Sequence, residues 1–264
     1  MLTKFEKILN YRTLLLINLI IIVATELSGH VFEELGIIHL VAIIFVILGI
    51  SRIFIHYDVY DRYLRLLIVG GSFSLVIFSI SHLVEFLGYA YFKIYEDAIF
   101  VSVINLYIMS MLAVAIGAEY FIRTLKKGLP IMTVILIITV ISFFILTLMV
   151  FFKKLSVSLE PDELTPYIYA ILVLGTSFLS LNRLMQIKKH VSIMVSFINY
   201  FMGAFVLITI SALNYVFYDF INGIGIPEFQ IIYISHFLFY GALTLIFLAF
   251  GHLTNLGGIY KEVQ

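Results

Sequence analysis

Eight apolar stretches run through this 264-residue chain, at about 12–35, 37–56, 63–87, 97–123, 129–152, 165–184, 190–220 and 228–253. Each has at least the roughly 20 residues that carry an α-helix across a ~30 Å hydrocarbon core. In lipid every backbone N–H and C=O must be satisfied within the segment, so such runs fold as helices. The expected fold is therefore an all-α membrane protein, a bundle of eight transmembrane helices over residues 1–264. The short connections make sequence neighbours antiparallel. Composition agrees: 62% of the residues are hydrophobic and 12% charged, where a soluble domain is nearer half and a quarter. The longest polar stretch, Lys153 to Tyr167, is a loop and not a domain.

The prolines are consistent with these spans. Pro130, Pro166 and Pro227 fall at or near first turns, where a missing N–H costs little, and Pro161 lies in the long loop. Thr165 is the expected N-cap of the sixth span. Gly36 and Gly88 suit the left-handed position that follows a helix. Gly70, Gly71, Gly203 and Gly241, with Ser72 and Ser74, are expected to allow close helix contact.

Charge fixes an expected orientation. With eight spans both termini share a side, which carries Lys4, Lys7, Arg12, Arg52, Arg62, Arg65, Arg123, Lys126, Lys127, Arg183, Lys188, Lys189 and Lys261. The other side carries only Lys93, Lys153 and Lys154, and most of the acids. The positive-inside rule then makes both termini cytoplasmic and the protein a multi-pass cell-membrane protein. The basic N-terminus before the first run resembles a signal sequence, but no small-x-small cleavage site follows, and we read it as an uncleaved first span. Tyr57, Tyr60 and Tyr63 on one side and Tyr89, Tyr91, Phe92 and Tyr95 on the other form the aromatic belts of a chain without Trp. A 4+4 parallel duplication, with half-repeats 1–127 and 128–264, is a further expectation. It rests on a similarity between LGISRIF, ISHLVEFL and AIGAEY in the first half and LGTSFLS, ISALNYVF and AFGHLT in the second.

Two spans close on the same pattern, His-x-x-Glu-x-Leu-Gly: His30 to Gly36 and His82 to Gly88. Residues three apart share a helix face, and both spans run outward, so the two motifs are expected at similar depth. Glu33 and Glu34 lie in a last turn, where the helix dipole disfavours carboxylates by a few tenths to ~1 kcal/mol each. A proton, an imidazolium or a bound cation would offset this. Imidazole with carboxylate suits zinc, iron or manganese. The expected metal ligands are His30, Glu33, His82, Glu85 and His236, with Glu26 or Glu34 as a general base beside a metal-bound water. The bland alternative is interfacial structure, since polar residues and His–Glu hydrogen bonds are ordinary at helix ends. His39, Asn105 and Asn214 lie at similar depth, each read first as an interhelical hydrogen-bonder. An inner set comprises Glu119, Arg123 and His252; Glu119 and Arg123 are i, i+4 and expected to form a local pair worth under ~1 kcal/mol.

These residues leave three functions open: a metal-dependent hydrolase or redox protein, with haem between two His such as His82 and His236 as a variant; a proton- or ion-coupled transporter; or a sensory or assembly subunit needing a partner. The absence of Cys excludes disulfides, thiolate nucleophiles and Cys-ligated metal. Zero net charge and the lack of a basic run argue against nucleic acid. No Walker, His-Glu-x-x-His or Gly-x-Ser-Gly motif occurs.

Overall fold

The computed structural model describes residues 62–88, 96–126, 131–152, 164–191 and 194–227, together with single residues near 16–50 and much of 230–252. The described residues are almost all helical, without strands among them. We number the helices α1 (Arg62–Leu87), α2 (Glu96–Lys126), α3 (Ile131–Phe151), α4 (Thr165–Lys188), α5 (Val195–Val216) and the short α6 (Tyr218–Gly223). A further helical segment runs through the described residues of 230–252. By length and composition α1, α2, α4 and α5 can each cross a membrane, and the shorter apolar core of α3 is Val134–Val150. The expected spans 63–87, 97–123, 129–152 and 165–184 each coincide with one helix. The expected 190–220 is divided at Phe217, whose backbone (φ −101, ψ 17) leaves the helical range between α5 and α6. Only single residues of spans one and two are described, and about half of the first half of the suggested duplication lies outside the described residues.

Helix directions follow from paired residues. Ser74 meets Ser110 and Gly70 meets Gly117, so α1 and α2 are antiparallel. Glu119 meets Arg183 and Met111 meets Ser180, so α2 and α4 run parallel, as helices separated by one hairpin partner should. Ser177 meets Thr209 and Tyr167 meets Phe217, so α5 returns antiparallel to α4. Gly203 faces Leu245 and Gly241 faces Leu207, which sets the last segment antiparallel to α5. In both of these contacts an added Cβ would stand 3.0 Å from a leucine methyl, so glycine sets how closely the helices approach.

α2 is the central helix, packing on α1, α3, α4 and α5. Its buried side chains include Ile99, Val101, Ile104, Ile108, Met111, Leu112, Ala115 and Ala118, on all faces. At Gly70 a Cβ would lie 2.7 Å from the Cα of Gly117, so α1 and α2 cross backbone to backbone.

Two end signals differ from expectation. Gly88 is not left-handed: it continues the last turn of α1, and glycine is needed because a Cβ would stand 2.8 Å from Ile99 Cδ1. The left-handed glycine is Gly225, at φ 94. Its N–H donates to Asn222 O and that of Ile226 to Ile221 O, the paired bonds that close a helix at a Schellman turn. Thr165 does not cap α4. Leu164 holds the N-cap position without a side-chain bond, and Pro166 sits in the first turn.

Candidate functional site

Two polar layers interrupt the apolar bundle. The first surrounds His82, one turn before the end of α1. Phe78 and His82 are i, i+4 and share a face, which packs on α2 and on the last segment. The imidazole is 4% exposed. Its ring centre lies 4.5 Å from that of Phe239, 4.9 Å from Phe78 and 6.1 Å from Tyr107. Phe78 stacks on Tyr107 and on Phe239, so three rings wall one imidazole.

The antiparallel pairing of α1 with α2 puts Asn105 at the level of His82, on another face of α2. Asn105 and Ser102, three apart on one face, are each 0% exposed. Neither the amide nitrogen and oxygen of Asn105 nor Ser102 Oγ has a hydrogen-bond partner. The Tyr169 hydroxyl is close enough to interact with Asn105 but falls short of a formed hydrogen bond. A buried amide or hydroxyl left in this state costs about 1–3 kcal/mol. Farther round the same layer Asn214 is fully engaged: its amide donates to Ser235 Oγ at 2.6 Å and to Ile231 O at 3.0 Å. The sequence reading of Asn214 as an interhelical hydrogen-bonder matches this geometry.

The second layer lies toward the other end of α2. Glu119 Oε1 accepts a hydrogen bond from Arg123 Nε at 3.2 Å, and Oε2 forms an ion pair with Arg183 Nε at 3.0 Å whose geometry falls short of a hydrogen bond. The expected local pair is there, but it is half of a triad that ties α2 to α4. The side chains of Glu119, Arg123 and Arg183 are 10%, 13% and 21% exposed. His252, grouped with Glu119 and Arg123 in the sequence, instead stacks on Tyr200 at 5.3 Å. Sequence reasoning counted Arg183 among the cations of the inner side, at the end of the span 165–184, and did not pair it with Glu119; the helix runs on past it to Lys188.

Of the expected metal site, the structure describes the side chain of His82 alone. Glu85 lies on α1, with its side chain outside what is described; His30, Glu33, Glu34, Glu26 and His236 lie outside the described residues, as does His39. Among the described residues no three His, Cys, Asp or Glu side chains gather where one ion could be held. Phe78, Tyr107, Phe239, Ser102 and Tyr169 were not singled out from sequence, because nothing in a uniformly apolar run marks which ring or hydroxyl meets which. Comparison with protein-family models, with characterised proteins and with solved structures gives no match.

Proposed function

We propose that the chain is an eight-span cell-membrane protein, both termini cytoplasmic, that binds a divalent cation at its extracytoplasmic end. The ligands in this reading are His30, Glu33, His82, Glu85 and His236, and the metal is zinc, iron or manganese. Glu26 or Glu34 serves as general base if the bound water is used for hydrolysis. The observation that carries the reading is the direction of His82. Its imidazole is 4% exposed and turned into the bundle, whereas a merely interfacial histidine at a helix end gains by reaching headgroups and water. Ionisable groups inside a membrane face the protein interior where they serve ion or proton chemistry.

The test is metal content of the full-length protein purified without chelator. Near-stoichiometric metal is expected, lost in His30→Ala and in His82→Ala. It should be retained in His190→Ala, a residue in the exposed turn after α4. Metal-free wild-type protein, or undiminished metal in His82→Ala, overturns the reading.

Asn105 and Ser102 favour a second reading, proton- or ion-coupled transport. Buried polar groups without protein partners are what a hydrated path through a bundle requires. In reconstituted vesicles Asn105→Leu should then abolish uptake or proton flux while leaving the protein folded.

A further inference from the structure

The triad at the Arg123 end has an unbalanced charge. Among the described residues two guanidinium groups face one carboxylate, which leaves one positive charge unmatched in a largely buried setting. Both arginines meet Glu119 through Nε, which leaves the paired Nη edges for another acceptor. Arg183 uses Nη1 on Gln186 Oε1 at 3.2 Å. Arg123 Nη2 is buried and has no hydrogen-bond partner. Depth also matters: Arg123 is the last residue of the apolar stretch Ala98–Arg123, so the layer sits where hydrocarbon gives way to headgroups. Buried charge is stable only when paired; the planar guanidinium fork takes carboxylate or phosphate bidentately, and at headgroup depth phosphate is the group a bilayer supplies.

We propose that Arg123 and Arg183, bracketing Glu119 between α2 and α4, form a binding site for an anionic phosphate group. Its source is either a lipid headgroup or free phosphate. Glu119 holds the two forks apart and, as a like charge to the ligand, limits its affinity. The site is independent of the metal reading.

The test uses the full-length protein in detergent with EDTA, so that a failed metal site has no bearing on it. Binding and thermal stabilisation are measured with phosphatidylglycerol, with phosphatidylcholine and with inorganic phosphate. A response to phosphatidylglycerol well above phosphatidylcholine identifies a headgroup. A response to inorganic phosphate, without that preference, identifies free phosphate. Arg123→Gln and Arg183→Gln should each weaken the response at least about tenfold, the loss of one charge-assisted contact. Glu119→Gln should strengthen it, because a competing anion is removed. If the glutamine variants of the arginines do not fold, Arg183→Lys, which keeps the charge and loses the fork, should give an intermediate loss. Equal response to both lipids with none to phosphate, or a Glu119→Gln protein that binds no tighter than wild type, overturns the proposal.

Discussion

Helices α2 and α3 are neighbours placed in opposite surroundings, and the more apolar of the two is the outer one. In α3, which has no charged residue, Ile138, Ile141 and Ile145 are 57%, 52% and 52% exposed, and of its described side chains only Leu136, Thr147 and Val150 are buried. In α2, which carries Ser102, Asn105, Ser110, Glu119 and Gly117, 89% of the stretch Ala98–Arg123 is buried. In water the more apolar helix would be the inner one. In lipid there is no such drive, because hydrocarbon solvates isoleucine as well as a protein core does. Small residues and polar groups decide which helix goes inside. The outward face of α3 is apolar along its length, with Ile138, Ile141, Phe144, Ile145 and Leu148 all exposed, as a lipid-facing surface is, so the contrast also places the bundle in a bilayer.

Glu119→Ala should break this arrangement most severely. It leaves Arg123 and Arg183 buried without their carboxylate, a loss of about 3–5 kcal/mol, whereas Phe144→Ala on the exposed face of α3 should change stability by under about 0.5 kcal/mol. Unfolding midpoints in mild detergent, read by circular dichroism, compare the two. Equal losses would mean that α2 is not held by its polar groups. This loss is the cost of stranding two buried guanidinium groups, a different quantity from the under ~1 kcal/mol expected for the Glu119–Arg123 pair itself.

Next in size is Gly70→Ala. The new methyl meets the Gly117 backbone at 2.7 Å, and backbone cannot swing aside as a side chain can, so about 1–3 kcal/mol should be lost. Gly175→Ala in α4, where nothing lies within 4 Å, should instead gain up to about 1 kcal/mol from the reduced freedom of the unfolded chain. A neutral Gly70→Ala would sever the link between small residues and the centrality of α2.

Asn105→Leu should run opposite to the usual cost of a core substitution. The amide has no hydrogen-bond partner to lose, and leucine has nearly its shape, so stability should hold or rise by about 1 kcal/mol. If transport or metal retention falls while stability rises, the amide is retained for function. If both are unchanged, the second reading of function fails.

Helix positions were legible in the sequence because charges and prolines bound the apolar runs: Arg62, Glu96 and Pro166 lie within two residues of the ends of α1, α2 and α4. Helix faces were not legible. A run such as Ile137-Ile138 reads the same whether it meets lipid or protein, so the exposure of α3 and the three rings around His82 could not be derived. Arg183 was read inside its span, but its pairing with Glu119, on a helix two spans earlier, leaves no mark in the sequence. The paired His-x-x-Glu motif was legible as a pattern, yet a pattern on two helices becomes a site only when their packing is known, and His82 alone of its histidines is described.

The smallest effect gives the sharpest form of the comparison, because it sets one chemical group in two surroundings. Thr139 and Ser142 on α3 donate their hydroxyls to Ile135 O and Ile138 O, four residues back, at 2.8 and 3.0 Å. Such bonds hide a hydroxyl from lipid without joining two helices. Ser110 on α2 instead meets Ser74 Oγ at 2.8 Å and Ser74 O at 3.0 Å, across the interface with α1. Thr139→Val and Ser142→Ala should therefore stay within about 0.5 kcal/mol of wild type, with no helix contact changed. Ser110→Ala should cost about 0.6 kcal/mol, up to roughly 1.7, and a double-mutant cycle with Ser74→Ala should recover most of that as coupling. A cycle with no coupling would mean that the small size of these serines, and not their hydroxyls, lets α1 and α2 approach, and the α2 side of the contrast would then rest on Gly70, Gly117 and the Glu119 triad.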